Sequence, residues 1–156
     1  MKINWKKLAA CIIIPLGIGA LSSLFSLEGI TEFGALQKPP LSPPAPLFPI
    51  VWTLLFILMG IASYIVSESR YTCRAETALF IYGVQLFFNF FWPILCFKFG
   101  QYTLAFAWIL VLLLLVVLTT ILFFKLARTS GILLLPYCLW VAFAAYLNLG
   151  IAVLNA

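Results

Sequence analysis

Apolar residues run without a charge through five windows, 8–27, 47–67, 77–97, 101–124 and 131–154, and every Asp, Glu, Lys and Arg lies outside them. At ~1.5 Å of rise per helical residue, each window is long enough to cross ~30 Å of hydrocarbon. No stretch alternates apolar and polar residues with a period of two, as a membrane-barrel strand would. The pattern predicts an all-α integral membrane protein, a five-transmembrane-helix bundle forming a single membrane domain over residues 1–156.

The segments between the windows set the connections. Residues 28–46 form the longest loop, with prolines at 39, 40, 43, 44 and 46. Consecutive prolines fix φ and favour an extended, stiff backbone. Lys98-Phe99-Gly100 and residues 125–130 are short enough to make helices 3 and 4, and then 4 and 5, antiparallel neighbours. The start, with Lys2, Lys6 and Lys7 before an apolar run, imitates a secretion signal. The run continues to Leu27, so it reads as a first helix rather than a cleaved leader. No internal repeat suggests an inverted-repeat transporter.

Composition strengthens this picture: 65% of residues are apolar and 8% charged, against ~45–50% and ~25% in soluble domains. A soluble enzyme and a disordered chain are both excluded. The net charge of +5 is scattered over helix ends, so there is no basic stripe for nucleic acid. Lys2, Lys6, Lys7, Arg70, Arg74, Lys125 and Arg128 fall on one side of the bundle, Lys38 and Lys98 on the other. The positive-inside rule then places the N-terminus in the cytoplasm and the C-terminus outside, in what is expected to be a bacterial cell membrane.

Much chemistry is missing. The chain has no histidine, which removes the usual haem axial ligand, the common zinc sites and Ser-His or Cys-His nucleophile pairs. Cys11, Cys73, Cys96 and Cys138 form no C-x-x-C pair, so no metal site is expected and no cofactor is required. No charged residue lies within a span, which disfavours an ion-driven pump.

What remains is a set of polar and aromatic stripes at helical spacing. Helix 3 aligns Tyr82, Gln85, Asn89, Trp92 and Cys96; helix 5 aligns Tyr137, Trp140, Ala144 and Asn148; helix 2 aligns Trp52, Phe56, Met59 and Ser63. Helix 4 is aliphatic apart from Trp108 and its threonines, as a lipid-facing scaffold would be. The amides could be interhelical glue, with the aromatics as packing or interface anchors. Alternatively, helices 2, 3 and 5 enclose a cavity for a flat apolar ligand, stacked on rings and oriented by a few amides, with the proline-rich loop as its lid.

The chain resembles the TspO/translocator-protein family, also called tryptophan-rich sensory proteins or peripheral benzodiazepine receptors. The resemblance rests on Leu36-Gln37-Lys38-Pro39 with Ser42-Pro43-Pro44, on Phe48-Pro49-Ile50-Val51-Trp52-Thr53 and Met59-Gly60-Ile61-Ala62, on Gln85 through Asn89 with Trp92, and on Leu135-Pro136-Tyr137-Cys138-Leu139-Trp140 through Phe143-Ala144 to Leu147-Asn148. It implies a bundle, often homodimeric, that binds porphyrins such as protoporphyrin IX and other flat hydrophobic ligands under the first loop. Some members are credited with light-dependent porphyrin breakdown, which would make a porphyrin a substrate and Trp52 and Trp140 the catalytic candidates. Stripes and resemblance together give an expected ligand set of Trp52, Phe56, Gln85, Asn89, Trp92, Tyr137, Trp140, Phe143, Ala144 and Asn148. The expected lid residues are Lys38, Pro39, Pro43, Pro44 and Phe48. A sensory, transport or scavenging role follows, with porphyrin, the lipid bilayer and a second copy of the chain as partners. Helix 3, with Ala78 and Gly83, is the expected dimer face, and Gly19 with Ser23 on helix 1 is its rival. Glu32-Phe33 and Leu41 stand where the family usually has Trp-Tyr and Trp, so the lid contacts differ. No basic residue follows Tyr146, so the family's sterol motif is not carried over.

Overall fold

The computed structural model describes residues 3–69 and 71–155, with the side chains of Ile30 and Thr31 left out. Lys2 and Arg70, both counted in the charge asymmetry, lie outside the described residues. The chain forms five long helices: α1 Trp5–Gly34, α2 Leu47–Ser67, α3 Thr72–Pro93, α4 Tyr102–Leu126 and α5 Arg128–Leu154, with a π turn at Ile94–Lys98 after α3. All five are long and apolar enough to span a membrane. The chain is an all-α integral membrane protein.

The helices overrun the charge-free windows because a charge marks where lipid ends, not where a helix must end. α1 starts early because the Asn4 side chain accepts a hydrogen bond from the Lys7 backbone N–H, a standard N-cap. It continues through Glu28 and Glu32 to Gly34, so the connecting loop is 35–46 rather than 28–46. The expected turn at 125–130 shrinks to Ala127 alone, which has an extended backbone between α4 and α5. Ser130 Oγ closes that corner on the Ala127 and Phe123 carbonyls (2.7 and 3.1 Å). Gly131 is required there, since a Cβ would run into the Phe124 ring. At the end of α3, Pro93 removes one N–H from the ladder, and the next five residues widen into the π turn.

Contacts between helices close a ring in the order α1, α2, α5, α4, α3, with α2 also touching α3 across the middle. The antiparallel neighbours expected from the short turns are present. At the N-terminal end, Lys7 Nζ pairs with Glu68 Oε1 at 2.6 Å and donates to the Ser67 carbonyl at 3.1 Å. The Tyr64 hydroxyl accepts from the Asn4 N–H at 3.0 Å.

One expectation is corrected. α4 is not simply a lipid-facing scaffold: Ala105, Ile109, Leu112, Val116, Thr119 and Phe123 are buried at alternating three- and four-residue spacing, against α3 and α5. A helix that is aliphatic all round carries no amphipathic signal to reveal its inner face. Trp108 fastens it, donating Nε1–H to the Phe88 carbonyl at 2.8 Å and stacking on the Phe88 ring. The peripheral helix is α1, where only Pro15, Ser22, Ser26 and Gly29 are buried among the described side chains.

Candidate functional site

Opposite the Lys7–Glu68 end, the ring encloses a cavity of about 730 Å³. α1 supplies one wall with Leu16, Gly19, Ala20, Ser23 and Leu27, and α2 faces it with Phe48, Pro49, Trp52, Thr53 and Phe56. Asn89 and Trp92 of α3 and Ala144, Leu147, Asn148 and Ile151 of α5 form the base, with Cys96 and Phe97 from the π turn. Phe33, Gly34, Lys38, Ser42, Pro43 and Ala45 close the top.

Trp52 is the centre of the aromatic packing. Its ring centroid lies 5.6 Å from Phe56, 6.2 Å from Trp92 and 6.1 Å from Tyr137. The amides beneath are held in two short chains. The Tyr137 hydroxyl donates to Gln85 Oε1 at 2.7 Å and accepts from Asn89 Nδ2 at 2.8 Å. Trp92 Nε1 donates to Asn148 Oδ1 at 3.0 Å, and Asn148 Nδ2 donates to the Tyr102 carbonyl at 2.8 Å. Both chains join α3 to α5 across the ring. Satisfied in this way, buried amides fix helix positions instead of costing stability. Among the described residues Asn89 Oδ1 accepts no hydrogen bond, so this cavity-lining amide keeps an acceptor for a ligand.

The lid is fastened to the end of α5. The Gln37 backbone N–H donates to Asn155 Oδ1 and its carbonyl accepts from Asn155 Nδ2, at 3.0 and 2.9 Å. The Tyr146 hydroxyl donates to the Pro40 carbonyl at 3.0 Å. Pro39 is buried over Gly150, where a Cβ would come within 2.5 Å of the proline ring. Leu41 turns the loop with φ of 68°, in the left-handed region that leucine rarely adopts. Lys38 Nζ lies 5.5 Å from the centroid of the Phe33 ring and is the cation among the cavity residues.

Of the expected ligand set, Trp52, Phe56, Asn89, Trp92, Ala144 and Asn148 line this cavity, as do Lys38, Pro43 and Phe48 of the expected lid. Six others do not. Gln85 and Tyr137 are almost wholly buried behind the lining, holding Asn89. Trp140 lies on the far side of Phe48, 5.7 Å from it edge-on, and packs on Phe143, which in turn stacks on Tyr146. Pro39 is spent on Gly150, and Pro44 lies outside the lining. Of the two tryptophans expected as catalytic candidates, Trp52 therefore lines this cavity and Trp140 does not, while Trp92 lies in the lining beside Trp52.

The ligand set expected from the sequence contains no α1 residue, yet α1 forms a wall of the cavity. Its trace is the run of small residues Gly19, Ala20, Ser22, Ser23 and Ser26 in an otherwise aliphatic stretch. Gly19 is used within the chain, since a Cβ there would enter the Phe56 ring. Ala78, expected on a dimer face, is fully buried against its own neighbours. Gly83 is exposed, with open space above it.

Comparisons with known proteins agree with this architecture. A family model described as the TspO/MBR family matches residues 11–154. The chain is 36% identical over 156 residues to the tryptophan-rich protein TspO of Archaeoglobus fulgidus, covering 98% of this chain and 99% of that protein. It is 33% identical over 150 residues to the protein of the same name from Chlorobaculum tepidum, covering 95% of each. The translocator protein of Homo sapiens is 35% identical over 127 residues, which is 78% of this chain and 73% of that one. Since the match takes in all five helices, the cavity and its proline-rich lid, this chain belongs to the TspO/MBR family.

Proposed function

We propose that the cavity binds porphyrins of the protoporphyrin IX kind and other flat hydrophobic molecules, in a membrane receptor with a sensory, transport or scavenging role. The observation that carries the reading is the aromatic cluster of Trp52, Phe56 and Trp92 on a cavity of about 730 Å³. Small-molecule sites are typically ~300–1,000 Å³, mostly apolar, with a few placed polar groups. The Trp92 N–H is already engaged by Asn148, which leaves its ring face as the surface on offer. Asn89 Oδ1 then serves as acceptor for a ring N–H. Lys38, at the roof, pairs with a ligand carboxylate. The asymmetry of basic residues supports a cytoplasmic N-terminus in a bacterial cell membrane, and the family resemblance supports a homodimer.

Titration with protoporphyrin IX, followed by tryptophan quenching, tests the reading. Saturable quenching near one porphyrin per chain is expected, lost by about tenfold in Trp52→Ala and Trp92→Ala, each stacked ring being worth ~1–3 kcal/mol by analogy with base stacking. Trp140→Ala should bind nearly as the parent does. Unchanged binding in Trp52→Ala and Trp92→Ala would mean partitioning into the micelle and refute the site, and equal loss in Trp140→Ala would refute its bounds.

A light- and oxygen-dependent degradation of the bound porphyrin is a second reading, favoured by the contact of Trp52 with both Trp92 and Tyr137. Trp52, which lines the cavity, is its electron donor, whereas Trp140 packs behind Phe48. Bleaching of the porphyrin Soret band in Trp52→Phe at the parent's rate would eliminate it.

A further inference from the structure

At the opposite end of the bundle a second, open cleft of about 510 Å³ separates the start of α3 from the end of α4. Cys73, Arg74 and Thr77 line one side, and Leu122, Lys125 and Leu126 the other. We propose that this cleft binds the phosphate of an anionic phospholipid from the leaflet at the N-terminal end of the bundle.

Three observations converge on that ligand. Arg74 and Lys125 come from different helices yet line one cleft, and neither forms an ion pair among the described residues. Lys7, at the same end, is by contrast neutralised by Glu68. Two unpaired cations on facing walls attract one phosphate more strongly than either would alone, and Arg can grip it with two N–H groups. Beside Lys125 the α4 side of the cleft is apolar, being Leu122 and Leu126. Toward the middle of the bilayer the same helix faces continue as Phe80 and Leu118, both exposed, at the three- and four-residue steps that keep a face aligned. A headgroup in the cleft therefore has an apolar track for its acyl chain, which a soluble anion would not use. Finally, Tyr71 lies beside Arg74, with the guanidinium 5.7 Å from the ring centroid. An exposed tyrosine of this kind suits the headgroup level of a membrane.

Native mass spectrometry of the protein released from vesicles of equal phosphatidylglycerol and phosphatidylcholine tests the proposal. The parent is expected to retain one phosphatidylglycerol in preference to phosphatidylcholine. Arg74→Gln and Lys125→Gln should each lower that retention about fivefold, and the double variant should abolish the preference. Arg74→Lys with Lys125→Arg preserves both charges and should retain the lipid, which separates charge from any fault in folding. Inorganic phosphate or glycerol phosphate in the buffer should not displace it. The proposal is overturned if the double glutamine variant retains phosphatidylglycerol like the parent. It is equally overturned if Lys7→Gln loses as much as Arg74→Gln, which would mean a diffuse surface charge, or if inorganic phosphate alone empties the cleft, which would make it a site for a free anion.

Discussion

Gly150→Ala is the smallest change that should unseat the lid. The new Cβ would meet Cβ and Cγ of Pro39 at 2.5 Å and Cδ at 3.2 Å, so the proline must retreat by about 1 Å to reach ordinary contact. Two effects oppose each other. Alanine stabilises a helix interior by about 1 kcal/mol relative to glycine, while overpacking a filled site costs about 1–3 kcal/mol. Pro39 is also two residues from Gln37, whose paired hydrogen bonds to Asn155 contribute about 1 kcal/mol each when formed. The retreat should break that pair and leave residues 35–46 untethered with the five helices intact. Limited proteolysis should cut the loop of Gly150→Ala about tenfold faster than that of the parent, a change equivalent to about 1.4 kcal/mol in the opening equilibrium. Gly83→Ala is the matched control, because nothing lies within 4 Å of its Cβ position; it should gain stability and leave the loop as resistant as before. If the two variants are cut at the same rate, Pro39 does not seat on α5 and the account of the lid is wrong.

Three further outcomes are expected. Tyr137→Phe should destabilise the bundle more than Asn89→Leu in a denaturing-detergent titration, although it removes one atom: it orphans both Gln85 Oε1 and Asn89 Nδ2, at about 1–3 kcal/mol each. The reverse order would show that Tyr137 does not join the two amides. Trp108→Phe loses the bond to the Phe88 carbonyl and should cost about 1 kcal/mol of stability, yet leave the porphyrin affinity unchanged because Trp108 is not among the residues lining the cavity; a weakened titration there would contradict the assignment of the cavity. Glu68→Cys, in an otherwise cysteine-free chain, should resist an impermeant maleimide in intact cells and react in opened ones; ready labelling from outside would invert the proposed orientation.

Several features of the site were readable in the chain because they are local. The 3–4 spacing of Asn89, Trp92 and Cys96, and of Ala144 and Asn148, puts each set on one helix face whatever the neighbours do. Buried amides in a lipid setting must also point inward. Trp140 shows where that logic stops. It shares a face with Ala144 and Asn148, but Phe48, 92 positions earlier, packs against it from the cavity side. Spacing within α5 contains nothing about Phe48. The α1 wall was hidden for a related reason, since small residues can admit a partner helix, a ligand or a ring of the same chain. Only the position of Phe56 shows that Gly19 serves the last.

Charge spacing and residue type determined that this protein crosses a membrane five times, because a charge in hydrocarbon costs too much to be placed there without a purpose. They also determined that Pro39, Pro40, Pro43 and Pro44 make the first loop stiff. The tertiary structure alone decided the ring order α1, α2, α5, α4, α3 and the inner face of α4. It also decided which rings reach the cavity and that Asn155 and Gly150 hold the lid. The division follows from the solvent: lipid rewards any apolar side chain alike, so hydrophobicity selects spans, whereas the choice of neighbour depends on shape, close approach and paired hydrogen bonds between residues far apart in the chain.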